Sequence, residues 1–176
     1  MKKIFAIIML IVLSLSLCSC EAYDIFREEL TAKKQAAEQE RTETYKAFYD
    51  EVSRSKVLID SIASEVCAVW KDSENDTIAN QTQKINQLLS KHADTVNQIN
   101  ERSEKIDELF KNVKALESEN YYDYAIEYSK DVMRSYVDYK DLTVNANPAL
   151  DSMGYIAITA AESTLEENLQ YFYVEM

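Results

Sequence analysis

Three features of the sequence predict an all-α fold. The chain of 176 residues holds one glycine and one proline, far below ordinary usage, so the turn formers that join strands are missing. From Tyr45 onward, apolar residues recur at alternating spacings of three and four, the period of one helix face. Polar stretches such as Asp72-Ser73-Glu74-Asn75-Asp76 separate these periodic segments. The expected architecture is an elongated antiparallel three- to four-helix bundle or coiled coil with a helical N-terminal stalk.

The first twenty residues set the domain organisation. Lys2 and Lys3 precede an apolar run from Ile4 to Leu17, broken by Ser14 and Ser16, and the run closes on Leu17-Cys18-Ser19-Cys20. A basic start, an apolar middle and a small-residue end form the anatomy of a secretory signal peptide. The closing four residues resemble the lipobox of bacterial lipoproteins, although Cys18 stands where that pattern usually has a small residue. The resemblance implies cleavage before Cys20 and lipidation of that cysteine, with palmitate among the acyl groups. The protein would then be anchored to the outer face of the cell membrane, since two or more acyl chains hold stably. Two other readings use the same stretch. An ordinary cleaved signal gives a freely secreted protein, and an uncleaved signal gives a membrane anchor, although the run falls short of the roughly 20 apolar residues a span needs. The organisation expected is a signal peptide at 1–19, a lipid-anchored polar stalk at 20–44 and a helical bundle at 45–176.

Charge narrows the partners. The whole chain carries −12, and loss of Lys2 and Lys3 with the leader deepens this to −14. Nucleic acid and anionic lipid surfaces are repelled by such a chain. The acidity otherwise reads as surface solvation. Cleavage before Cys20 removes Cys18, and lipidation consumes Cys20. Cys67 is then the sole free thiol, so no intramolecular disulfide can form. Its valine neighbours mark it as a small buried apolar residue.

The elements follow in order. Residues 21–44 are almost wholly polar, with a thin stripe of Ile25, Phe26, Leu30 and alanines, and they read as a solvated helical stalk. Tyr45, Phe48, Val52, Ser55, Ile59, Ile62, Val66 and Val69 then form a heptad-like seam, widened by Leu58, Cys67 and Trp70. Asn75 or Asp76 is expected to cap the next helix. Ile78, Thr82, Ile85, Leu89, His92, Val96, Ile99, Ser103, Ile106, Phe110 and Val113 keep one phase without a slip, predicting one helix over about 77–116. Such a helix is roughly 60 Å long and pairs antiparallel with the first. Asn120 with Asp123 reads as the cap of a third helix ending near Val144. Its stripe is Tyr121, Ala125, Tyr128, Val132, Tyr136 and Tyr139, broadened by Ile126 and Met133. Pro148 marks a break. A last helix is expected from about Ala149 or Asp151 to Tyr173, with Ile158, Ala161, Leu165, Leu169 and Phe172 inward and small residues near Gly154 allowing close approach.

Val69-Trp70, Tyr136 and Tyr139 ahead of Asp141-Leu142-Thr143, Asn147-Pro148 and the Ala/Ser/Glu-rich final helix ending in tyrosines together resemble one group. These are small, uncharacterised helical lipoproteins of Gram-positive bacteria, and the resemblance spans roughly 64–173. Ala149-Leu150-Asp151-Ser152 departs from the Gly-Ser that follows Asn-Pro in that group. The resemblance bears on fold and compartment alone.

Catalytic equipment is sparse. The single histidine, His92, sits in a seam, where it reads as a structural, hydrogen-bonded residue; a triad needs a nucleophile and an orienting acid beside it. No Glu-x-x-His pair for a di-iron site, no zinc ligand set and no EF-hand loop is present in the sequence. A glycine-rich phosphate loop cannot be built around the lone Gly154. Asp123, Glu127, Asp131, Asp138 and Asp141 read as a solvated face, and the sequons at Asn75 and Asn80 carry no weight under a bacterial signal. Neither a metal nor a cofactor is expected. The twelve tyrosines are the residues that stand out, because tyrosine joins apolar area to a polar tip. They read first as core-edge residues; Tyr122, Tyr124, Tyr155, Tyr171 and Tyr173 are the ones that can remain exposed for a protein or cell-wall partner.

The expectation is therefore a non-enzymatic, surface-anchored lipoprotein acting as an interaction or structural module. The alternative is a cell-wall or small-ligand binding module built on exposed tyrosines and carboxylates. Heptads of this quality close within one chain or between chains, so an oligomer is compatible with the sequence.

Overall fold

The computed structural model describes residues 2–117, 124–149 and 154–175, with side chains described from residue 27 to residue 171 within those ranges. All the regular structure among them is helical: α1 Lys2–Asp72, α2 Ile78–Lys91, α3 Ala93–Ala115, α4 Tyr124–Val144 and α5 Gly154–Glu175. The all-α prediction therefore holds. The side chains of the leader, Cys20 included, lie outside the described residues. So do the Asn120 cap with Asp123, Tyr121, Tyr122 and the side chains of Phe172 and Tyr173. Among the described residues, no helix is long and apolar enough to cross a membrane.

The chain divides into two compact units, Met1–Glu43 and Thr44–Met176. In the first, every side chain from 27 to 43 is exposed except the half-buried Arg41. Local bonds one turn apart run along it. The Thr31 hydroxyl donates to the Arg27 carbonyl at 2.8 Å, and the Gln39 amide to Glu43 at 2.8 Å. With so little apolar surface to bury, this segment relies on helix propensity and such i,i+4 pairs.

The second unit is an up-down-up-down bundle. Antiparallel packing of α1 with α2 and α3 is marked by Glu65, which meets Lys91 and His92, and further down by Glu51, which meets Lys105. α4 turns back along α3, with Lys140 reaching Ser103 and Lys130 reaching Glu117. α4 therefore runs parallel to α1, and its polar contacts keep a near-constant register: Tyr49 with Ser129, Ser55 with Tyr136, Asp60 with Tyr139. α5 returns along α4, its Asn168 amide bonding the Asp131 carbonyl and the Ser135 hydroxyl. The core takes Phe48, Val52, Ile59 and Val66 from α1, Ile85 from α2, Ile99, Ile106 and Val113 from α3, Val132, Tyr136 and Tyr139 from α4, and Ile158 and Leu165 from α5.

Four local expectations are corrected. The helix expected over 77–116 is interrupted at His92, whose φ of −103° and ψ of 24° leave the helical region. Its N–H is shared between the carbonyls of Leu88 and Leu89, at 3.2 and 3.1 Å, which tightens the end of α2. No residue is gained or lost there, so the seam continues in phase. The cap of α2 is Thr77, whose hydroxyl accepts the Asn80 N–H at 3.4 Å; Asp76 instead holds Lys84 at 2.7 Å. Ala149 does not start the last helix: it stands in a turn, where Asn147 Oδ1 accepts its N–H at 3.0 Å beside Pro148, and α5 is described from Gly154, the Asp151 alternative lying outside the described residues. Lastly, the inward stripe of α4 runs through Ile126, Ser129, Val132, Tyr136, Tyr139 and Thr143, which leaves Tyr128 partly exposed. Ser129 tolerates full burial since its hydroxyl donates to the Ala125 carbonyl at 2.7 Å.

Gly154 accounts for the close approach expected at the start of α5. Its φ of +49° favours glycine, and a Cβ there would lie 2.9 Å from Trp70 Cε3. The glycine thus seats the indole of α1 under the last helix.

Candidate functional site on α4 and α5

The interior explains which polar groups are occupied. Glu51 is 2 % exposed yet charged, held by Arg102 and by Lys105 at 2.8 Å. Burial works against its charge, but the two cations and their hydrogen bonds prevail and hold the carboxyl below its ordinary range. Tyr136 shares a 3.0 Å hydrogen bond with Ser55, and the Tyr139 hydroxyl donates to Asp60 at 2.8 Å. Burial, the largest influence, pushes both phenols upward; the hydrogen bond to Asp60 and that carboxylate's charge push Tyr139 further. Tyr49 rises to about 12, again chiefly through burial, with Ser129 pulling the other way. These tyrosines are bound into the fold.

His92 Nε2 lies 3.2 Å from Glu65 Oε1, and Lys91 lies 3.6 Å from the other oxygen of that carboxylate. The hydrogen bond from His92 is the main influence holding Glu65 low. Cys67 is half-buried, and burial raises its thiol above the ordinary value, the opposite of an activated nucleophile. Among the described residues, no three His, Cys, Asp or Glu side chains gather to hold a metal ion.

The outward side of α4 and α5 differs in kind. Tyr124, Glu127, Tyr128 and Asp131 fall at i, i+3, i+4 and i+7, which places them along one helix face. Antiparallel α5 brings Tyr171 onto Tyr128: the ring centroids are 6.4 Å apart and the planes differ by 6°. Exposure is 68 % at Tyr124, 37 % at Tyr128 and 58 % at Tyr171. Glu167, one turn before Tyr171, is exposed on the same side of α5. Further along the same helix pair lies a shallow groove of about 710 Å³, floored by Ala157, Ala160 and Ala161 and rimmed by Asp138, Asp141 and Asn145.

Of the five tyrosines singled out by sequence, Tyr124 and Tyr171 are exposed on this face. Tyr155 is half-buried near the far end of α5, with the Lys71 ammonium 4.6 Å from its ring centre. Tyr122 and the Tyr173 ring lie outside the described residues. Sequence reasoning missed Tyr128, assigned to the inward stripe. The signal was present: Ser129 and Ser135 take inward seats, and both can return their hydroxyl to the helix backbone. It also missed Glu51, although Arg102 and Lys105 stand at i,i+3 on the facing helix.

Comparison with protein-family models, with curated proteins and with solved structures finds no match.

Proposed function

We propose that this chain is an exported lipoprotein, anchored through Cys20, that works as a binding module without catalytic turnover. The observation carrying the binding half is the Tyr128–Tyr171 pair. Two aromatic rings, held parallel on the outer face of a well-packed bundle, present rigid amphipathic area at little conformational cost. The anchoring half is supported by the sequence Leu17-Cys18-Ser19-Cys20 after its basic and apolar leader. The exposed polar segment at 27–43 separates the lipidation site from the bundle along the chain, the composition expected of a spacer.

Lipid labelling with membrane fractionation tests this reading on the full chain and its Cys20→Ala variant. Label and membrane retention in the wild type, both lost in the variant, are the expected result. An unlabelled wild-type protein recovered from the medium overturns the anchor. Turnover of a substrate by the purified chain, abolished by one side-chain substitution, overturns the non-catalytic half.

A further inference from the structure

We propose that the outer face of α4 and α5 docks an arginine-bearing basic segment of a protein partner, a guanidinium stacking on the Tyr128–Tyr171 pair. This rests on the reading of the chain as a binding module and states what it binds.

Ring geometry gives the first argument. Tyr128 and Tyr171 are nearly parallel, at 6°, and both are exposed, so their orientation is set before a partner arrives. Aromatic faces attract cations, and the planar, weakly hydrated guanidinium stacks on them better than an ammonium does. The molecule uses this attraction elsewhere, with Lys71 over Tyr155 at 4.6 Å and Lys114 over Phe110 at 5.0 Å. Among the described residues, no cation is placed over Tyr128 or Tyr171.

Charge gives the second. α5 contains four glutamates and no lysine, arginine or histidine, and Glu167 stands one turn from Tyr171. On α4, Glu127 and Asp131 flank Tyr128. Their present partners are Lys130 at 2.8 Å and Arg134 at 3.5 Å. Both are surface pairs of little net worth, so a partner's cation replaces them at small cost. A carboxylate beside a ring completes arginine recognition: the ring takes the face of the guanidinium and the oxygens accept its N–H groups. A neutral glycan stacks on rings and donates hydroxyls to carboxylates, but only a cation also answers their negative charge.

The test uses the full chain in neutral detergent micelles at fixed ionic strength, with fluorescently labelled hexa-arginine and hexa-lysine read by anisotropy. Hexa-arginine is expected to bind more tightly than hexa-lysine. Tyr128→Ala and Tyr171→Ala are each expected to weaken it by about 3- to 5-fold with unchanged helical circular dichroism. Glu167→Gln should weaken it too, whereas Glu74→Gln, an equal charge loss at another exposed site, should not. Equal binding by wild type and all four variants would reduce the effect to diffuse attraction by an acidic chain and overturn the proposal. Absence of peptide binding overturns it as well, as does tyrosine-dependent binding of a neutral oligosaccharide in place of the peptide. The readouts separate the two readings. Tyrosine-dependent peptide binding by a protein that carries no lipid refutes the anchor alone, while a labelled, membrane-retained protein that ignores the peptide refutes this docking site alone.

Discussion

Tyrosines stand on both sides of α4, and the two sets meet opposite fates. Tyr136 and Tyr139 face α1, fully buried, each hydroxyl paired with a side chain there. Tyr124 and Tyr128 face outward, and Tyr128 meets a ring from α5 instead of a polar partner. Burying a phenol without a partner costs free energy, so Ser55 and Asp60 decide that the inner pair can be core. On the outer side no such partner is needed, and the ring itself becomes the exposed feature. Residue type alone does not separate a structural tyrosine from a recognising one. The residue across from the hydroxyl does.

Four experiments break or sharpen that contrast, beginning with the largest effect. Tyr136→Ala should lower unfolding free energy by about 3–5 kcal/mol in denaturant titration, the scale for emptying a buried aromatic site. A loss below about 1 kcal/mol would mean that the inner set is not core. Alkaline titration comes next. The folded state holds the Tyr49 proton up to about 12, whereas the unfolded chain releases it near 10. The folded state therefore binds more protons in that window, and stability falls as pH rises from 10 towards 12, by about 2–3 kcal/mol from this group. A Tyr49→Phe variant should lose less stability than the wild type over the same range.

Glu51 gives a smaller effect of opposite sign. Its folded pKa is depressed, so its contribution is full above the unfolded value and is lost as pH falls through the folded one. Glu51→Gln should cost about 1–2 kcal/mol at neutral pH, and the gap from wild type should close in acid. A gap that persists at low pH would show that charge is not what matters there. The smallest change belongs to the outer set. Tyr171→Ala should alter stability by no more than about 0.5 kcal/mol, and a larger loss would make the stacked pair a structural element.

Much of the bundle was legible in the sequence because helix periodicity reports burial directly. Phe48, Val52, Ile59, Ile62 and Val66 are all buried as the spacing requires, and α4 ends at Val144. What escaped depends on facts that lie between helices. Whether Ser129 or Tyr128 turns inward is settled by the rotation of α4 against α1, and Ser129 satisfies itself locally while Tyr128 finds Tyr171. Glu51 lies off the apolar seam that the spacing picks out, and only the meeting of α1 with α3 shows its two cations. The break at His92 preserves the phase of the seam, so periodicity cannot reveal it. The candidate face was half legible: Tyr124 and Tyr171 stood out, but their juxtaposition through Tyr128 needed the antiparallel register of α4 and α5.

The parallel pairing of α1 with α4 also governs the order in which the bundle can assemble. The Tyr49–Ser129, Ser55–Tyr136 and Asp60–Tyr139 contacts join residues 80, 81 and 79 apart, whereas Asn168 meets Ser135 across only 33. Distant contacts form late, since a long loop must close before they repay its lost entropy. Glu65 meets His92 across a comparably short stretch, so the α1–α2 and α4–α5 hairpins are the early units. The side of α1 that meets α4 waits longest, since Ser129, Tyr136 and Tyr139 are made only after α1, α2 and α3 are complete. A chain of this topology gains from being kept from its own kind during that interval.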